Sequence, residues 1–256
     1  MKPSLLLITC LLLNPLASKL TGAGFEPIFD GKSLKGWSGD PKLWSVQDNS
    51  ITGVTTDEEP LEYNKFLIWD GEVENFHFRA KVRLIGNSNS GVQYRSKHLK
   101  EAGEFVVGGY QLDIHPKPEN NAMLYHERGR GIVAKHGQKV IVDNEGAKWI
   151  TGTTGPIQEI DLEEWNTFEI IAIGNKLIHK LNGKVTAEII DHHEAGRLMK
   201  GVIAAQVHKG PAMRVQLKDI ELKHLPKGGM LSLKEAPIPV DAEKVPVRKP
   251  RPPKKK

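Results

Sequence analysis

Three short segments of this sequence carry amide, carboxyl and imidazole groups at every second position. In GYQLDIH, Tyr110, Leu112 and Ile114 alternate with Gln111, Asp113 and His115. In SGVQYR, Val92 and Tyr94 alternate with Gln93 and Arg95, and in VIAAQVHK, Ile203, Ala205 and Val207 alternate with Ala204, Gln206 and His208. Successive side chains of a strand point to opposite faces, so each segment can bury its apolar row and present its polar row elsewhere. Short amide-type and titratable groups in such a row suit sugar hydroxyls and proton transfer. The plainer alternative is a sheet whose outer face is polar because it is wet. That kind of face has a different composition in this chain: in NFHFRAKVRL, the apolar Phe76, Phe78, Ala80, Val82 and Leu84 alternate with His77, Arg79, Lys81 and Arg83, long and basic.

The elements that must position these groups lie between two ends of different character. Residues 1–24 read as an export signal, with Lys2 before the apolar run LLLITCLLL and small residues following in ASKLTGAG. Export to the periplasm or the exterior is therefore expected. The apolar run is too short to span a bilayer. Cys10 is the only cysteine, so removal of the signal leaves a chain without disulfides, thiolate catalysis or Cys-based zinc sites. From Pro226 to Lys256 there are nine Lys or Arg residues, three acids and seven of the 16 prolines. That composition predicts an extended basic tail, which either contacts anionic cell-surface polymers or merely solubilises the chain. The chain's net charge of +5 comes from this tail and the signal; residues 25–225 carry about −3, which argues against nucleic acid as a partner.

About 200 residues remain for one domain. LWSVQDNSITG reads as a hairpin bending at Asp48 and Asn49, and EWNTFEIIAIGNKLIHKLNGKVTAEIID as three strands joined at Gly174-Asn175 and Asn182-Gly183. Apolar residues change phase at Lys218-Asp219, which predicts a β-bulge. His179 alternates with Leu177 and Leu181 and reads as packed, while His192 and His193 read as solvated loop residues. The loop HPKPENNAMLYHERGRGI offers Tyr125, His126, Glu127, Arg128 and Arg130 as binding groups, or else an exposed ion-paired turn. Many short strands without a persuasive helix predict an all-β, single-domain sandwich. Phosphate-cradling loops, a Gly-x-Ser-x-Gly elbow and His-Glu-x-x-His are absent, which argues against nucleotide, esterase and zincin chemistry.

Seven stretches taken in order, FDGKSLKGW, WSVQDNSITG, NSGVQYR, GYQLDIH, LYHERGRGI, EWNTFEIIAIGNKLIHKLNG and AAQVHKGPAMRVQLKDIELK, resemble the family of 3-keto-disaccharide hydrolase domains. The resemblance covers residues 25–225 and implies a concanavalin A-like jelly-roll β-sandwich. It also implies a secreted enzyme that cleaves glycosides whose sugar carries a 3-keto group. A carbonyl at C3 acidifies the C2 proton, so a base can remove that proton while the glycosidic oxygen leaves C1, and water can then add back. His208 or Asp113 would be the base, with Arg95, Gln111 and Gln206 as oxyanion and hydroxyl ligands. Gln93, His115, Tyr125, Glu127 and Arg130 would complete the substrate site. Some relatives are thought to need a metal, and Asp113, His115 and His208 would be the ligands for a divalent cation.

Two other readings stay open at this stage. The acids Glu159, Asp161 and Glu163 of EIDLE have the spacing of a laminarinase-type β-glucanase site, where alternate carboxylates on one strand flank the scissile bond. A non-catalytic carbohydrate-binding module would use the same polar strand faces, because fold does not fix function.

Overall fold

The computed structural model of the chain describes residues 24–246. The export segment read at residues 1–24 lies outside the described residues apart from Gly24, as does the basic end from residue 247 onward. The strands are β1 Glu26–Pro27, β2 Trp37–Ser38, β3 Trp44–Gln47, β4 Ser50–Thr55, β5 Lys65–Trp69, β6 Phe76–Gly86, β7 Ser90–His98, β8 Val107–Ile114 and β9 Leu124–Glu127. They continue as β10 Gly131–Ala134, β11 Gln138–Val142, β12 Lys148–Thr153, β13 Asn166–Ile173, β14 Lys176–Leu181, β15 Lys184–Asp191, β16 Val202–Val207, β17 Met213–His224 and β18 Glu243–Lys244.

These strands form the two sheets of a jelly-roll sandwich. The larger runs β18-β12-β11-β15-β14-β13-β6-β17-β4-β3, with β1 also on β17, and the smaller runs β10-β9-β8-β7-β16-β5-β2. All pairings are antiparallel except β11 with β15. The period-two pattern of β6 holds along its length, burying Phe76, Phe78, Ala80, Val82 and Leu84. From the facing sheet, Val92, Tyr94, Leu112, Ile114, Ala205 and Val207 join the same core. Burying each large apolar side chain contributes about 1.5–3 kcal/mol. The β3–β4 hairpin turns where expected, with Asp48 and Asn49 both at positive φ, the conformation that matches the twist of a two-residue hairpin. The predicted bulge is present as a register shift between Lys218 and Glu221, with Asp219 at φ 49.

Three expectations change. Arg95 does not join the polar row of β7, because the strand bulges after Tyr94: its register shifts against both β8 and β16, and Arg95 itself sits at φ 49. The bulge turns the side chain to the end of the sandwich, where it is fully buried. There it donates to the carbonyls of Glu74 (2.6 Å), Gly174 (2.7 Å) and Leu198 (3.3 Å), and to Asn75 Oδ1 (3.1 Å). Secondly, residues 226–246 are not a free tail. Asn75 Nδ2 donates to the carbonyls of Pro226 and Gly228, Asn175 exchanges two hydrogen bonds with Leu231, and β18 adds to the edge of β12. Backbone hydrogen bonds do not need apolar composition, so a Pro- and Lys-rich stretch can still be tied down. His192 is buried rather than solvated, its backbone bonded to Val142.

Asn75 joins the tail, the Arg95 guanidinium and the backbone N–H of Gly174 at 2.9 Å. Asn75→Ala removes all of these partners at once and leaves buried donors unpaired, which costs about 2–3 kcal/mol. We expect the melting temperature to fall by roughly 5–10 °C in a thermal denaturation scan; an unchanged melting temperature would show that the node carries no stability.

Candidate functional site

On the face of the smaller sheet turned away from the core lies a cleft of about 480 Å³. Its floor comes from the three strands singled out by their alternation. Register places Gln93 opposite Gln111, Gly91 opposite Asp113, and Tyr125 of β9 opposite Gln111 on the other side. Gln206 enters from β16, with His208, Asn89 and His115 just beyond the ends of β16, β7 and β8. Tyr63, Asn64, Glu127, Arg128 and Lys209 belong to the walls.

The floor is a continuous chain of hydrogen bonds. Ser96 Oγ donates to Gln93 Oε1 (2.7 Å), and Gln93 Nε2 donates to Gln111 Oε1 (2.7 Å). Gln206 Nε2 reaches the same oxygen (3.2 Å), and Gln111 Nε2 donates to Asp113 Oδ1 (2.6 Å). Gly91 makes this possible: a Cβ there would stand 2.5 Å from Gln111 Cδ, so only a residue without a side chain lets Gln111 lie across β7. One acceptor is left over, since Gln206 Oε1 is buried with no partner. An unpaired buried amide oxygen is costly, and a ligand hydroxyl reaching it from the cleft would remove that cost.

The titratable groups are tuned by the same burial. Asp113 is 3% exposed, and desolvation, reinforced by the nearby Glu127 charge, pushes its carboxyl up to about 7 despite hydrogen bonds from Gln111 and Asn89. Burial holds both His115 and His208 below the ordinary imidazole range. His115 Nδ1 accepts from the Lys117 backbone (2.9 Å), so its proton sits on Nε2. His208 Nδ1 is buried and unpartnered, which also favours the proton on Nε2, away from the unpaired site.

Of the residues read from sequence, Gln111, Asp113, His115, Tyr125, Glu127, Gln206 and His208 meet at this cleft, and Gln93 supports it from beneath. Arg95 does not, for the reason given above. Arg130 does not line it either. Its guanidinium is bidentate to the buried Asp191 (Nη2–Oδ2 2.5 Å, Nη1–Oδ1 3.1 Å) and bonded to Tyr110 Oη and His126 Nδ1, an internal ion pair that ties the β9–β10 hairpin to the end of β15. Glu159, Asp161 and Glu163 are exposed in a connector with no strand assignment, so the alternate-carboxylate geometry of a β-glucanase is not formed. Among the described residues, no group of three His, Cys, Asp or Glu stands close enough to hold a metal ion; Asp113, His115 and His208 share the cleft without converging as ligands. Asn64, Asn89 and Lys209 were missed, since single polar residues in turns carry no periodic signal.

Residues 24–223 match the model of the 3-keto-alpha-glucoside-1,2-lyase-like domain. No curated protein matches at a significant level. Among solved structures, a candidate glycosyl hydrolase from Parabacteroides distasonis ATCC 8503 is similar at TM-score 0.55 and 19% identity, covering 78% of this chain and 99% of that one. A second candidate glycosyl hydrolase from the same organism gives 0.53 and 17%, covering 79% and 95%. The carbohydrate-binding module CBM66 from Bacillus subtilis gives 0.50 and 13%, covering 73% and 95%. At these identities the structures establish the sandwich fold.

The environment of Asp113 has a consequence for stability. Its folded carboxyl titrates above the 3.8 of a free side chain, so between about pH 4 and 7 the folded state keeps a proton that the unfolded chain has lost. The contribution is present in full below pH 4 and is lost as pH rises through about 7. Asp113→Asn has no such dependence, so its melting temperature should gain on the wild type steadily from pH 4 to pH 8. A difference that does not change with pH would place Asp113 in an ordinary, solvated environment.

Proposed function

Because this chain belongs to the family of 3-keto-alpha-glucoside-1,2-lyase-like domains, we propose that it cleaves glycosides bearing a 3-keto group by taking the C2 proton and expelling the C1 oxygen. The observation that carries this reading is Asp113: a carboxyl on the floor of a polar cleft, oriented through one oxygen by Gln111 and held near neutrality by burial. A base poised near the working pH is what abstraction of a proton next to a carbonyl requires.

The other groups divide the remaining tasks. As the C2–H bond breaks, negative charge moves to the C3 oxygen, and neutral N–H donors on His208 and His115 are suited to receive it. Tyr125 faces sugar hydroxyls. The electron pair left at C2 forms a C1=C2 bond as the C1–O bond breaks. Water adding across that double bond converts elimination into net hydrolysis. Export through residues 1–24 belongs to the same reading, since it brings the enzyme to glycans outside the cytoplasm.

Incubating the purified chain with a 3-keto-glucoside and with its unoxidised parent tests the proposal. We expect product from the keto sugar alone and, for an aglycone that leaves without protonation, kcat/KM rising with pH through about 7 as Asp113 ionises. Asp113→Asn should lose about 10²–10⁴-fold, and His208→Ala on the order of 10²-fold. Binding of either sugar without turnover would favour a carbohydrate-binding module instead, and full activity in Asp113→Asn would remove the base assignment.

A further inference from the structure

Elimination leaves one proton unaccounted for, because an aglycone that departs as a sugar or alkyl alkoxide is a poor leaving group unless its oxygen is protonated. The cleft holds a second carboxyl whose position suits that task. On β9, Tyr125 and Glu127 share the face that turns toward the floor, and Glu127 lies opposite Gly109, so no β8 side chain stands beside it. Its carboxyl meets the amide of Asn64, another residue lining the cleft, at an Asn64 Nδ2 to Oε2 distance of 3.5 Å, the outer limit of a hydrogen bond. That amide is already committed through its oxygen, which accepts from the Lys209 backbone (3.0 Å). Among the described residues, no Lys, Arg or His forms an ion pair with Glu127. The contrast with Asp191 is direct: that buried carboxylate is bidentate to Arg130, while Glu127 has the long Asn64 hydrogen bond and only the unbonded charges of Arg128 and Lys209 nearby.

Other polar groups in the cleft fit the task less well. Neutral His115 would have to become an imidazolate to give up its Nε2 proton, and burial raises the Tyr125 hydroxyl further above its ordinary range. We propose that Glu127 is the general acid that protonates the departing glycosidic oxygen, across the sugar from Asp113. This rests on the functional reading above. In the step, Asp113 takes the C2 proton, the C1=C2 bond forms, the C1–O bond breaks, and the Glu127 proton passes to the aglycone oxygen. The products are an unsaturated 3-keto sugar and a free alcohol, and solvent then returns both carboxyls to their starting states. Burial, the largest influence on Glu127, raises its carboxyl against the opposing pull of Arg128, Asn64 and Lys209; because a charged Glu127 in turn raises Asp113, the reacting form is the minority one in which Glu127 keeps the proton and Asp113 has lost it.

The test uses two 3-keto-glucosides, one with a methyl or sugar aglycone and one with a 4-nitrophenyl aglycone, which departs without protonation. In Glu127→Gln we expect kcat on the first to fall by at least about 10²-fold, while kcat on the second stays within a few-fold of wild type. Asp113→Asn should lose both. Equal loss on both substrates in Glu127→Gln would overturn the assignment in favour of a positioning role, and so would no loss on either. A wild-type chain inactive on both would overturn the functional reading itself, and this assignment with it.

Discussion

Gln111 sits where β7, β8 and β16 bring their polar rows together, and its amide decides how the cleft floor is connected. Its oxygen accepts from two other glutamines and its nitrogen donates to Asp113. Gln93, Gln111 and Gln206 are all but inaccessible to solvent, so each amide must find its partners within the protein or cost roughly 1–3 kcal/mol. The network meets that demand almost completely, and the one acceptor it leaves unpaired belongs to Gln206, a residue of the cleft. Rigidity and reactivity thus share an origin. Burial forces the amides into one arrangement, and the same burial raises Asp113 into the range where it can exchange a proton at neutral pH.

The part of this arrangement legible in the sequence is the part governed by period two. Tyr110, Leu112 and Ile114 point one way and Gln111, Asp113 and His115 the other because β8 is regular there, and alternation alone located the floor. Arg95 defeats the same rule: a bulge after Tyr94 breaks the phase, and nothing in SGVQYR marks it. Arg130 fails for another reason. Its partner Asp191 is 61 residues away, and a loop arginine that will pair with a distant buried carboxylate looks identical to one that faces a substrate. Composition misleads at residues 226–246, because it predicts whether a stretch can build a core, not whether its backbone can be held by two asparagines. Gly91 shows the converse, an unremarkable glycine that becomes explicable only once Gln111 is seen lying over it.

The buried cations and the cleft serve separate purposes on the same scaffold. Arg95 satisfies backbone carbonyls from three connections, at Glu74, Gly174 and Leu198, closing an end of the sandwich that strand pairing cannot close. Arg130 fixes the hairpin that carries Tyr125 and Glu127 against β15 and Tyr110. Charge spent in this way keeps the walls in place but adds nothing to the pocket lining.

The middle of the larger sheet has a further effect on how the chain is made. Its neighbours β6 and β17 are separated by more than 120 residues, so β6 must wait for most of the polypeptide before one of its two edges is covered. A half-synthesised chain would expose that edge to other copies of itself. Arg79, Lys81 and Arg83 alternate along the outer face of β6, and a row of cations on a bare strand opposes stacking against its like. The basic stripe that looked like ordinary surface then acts as a safeguard against aggregation until β17 arrives, after which Glu221 and Asp219 pair with Arg79 and Lys81.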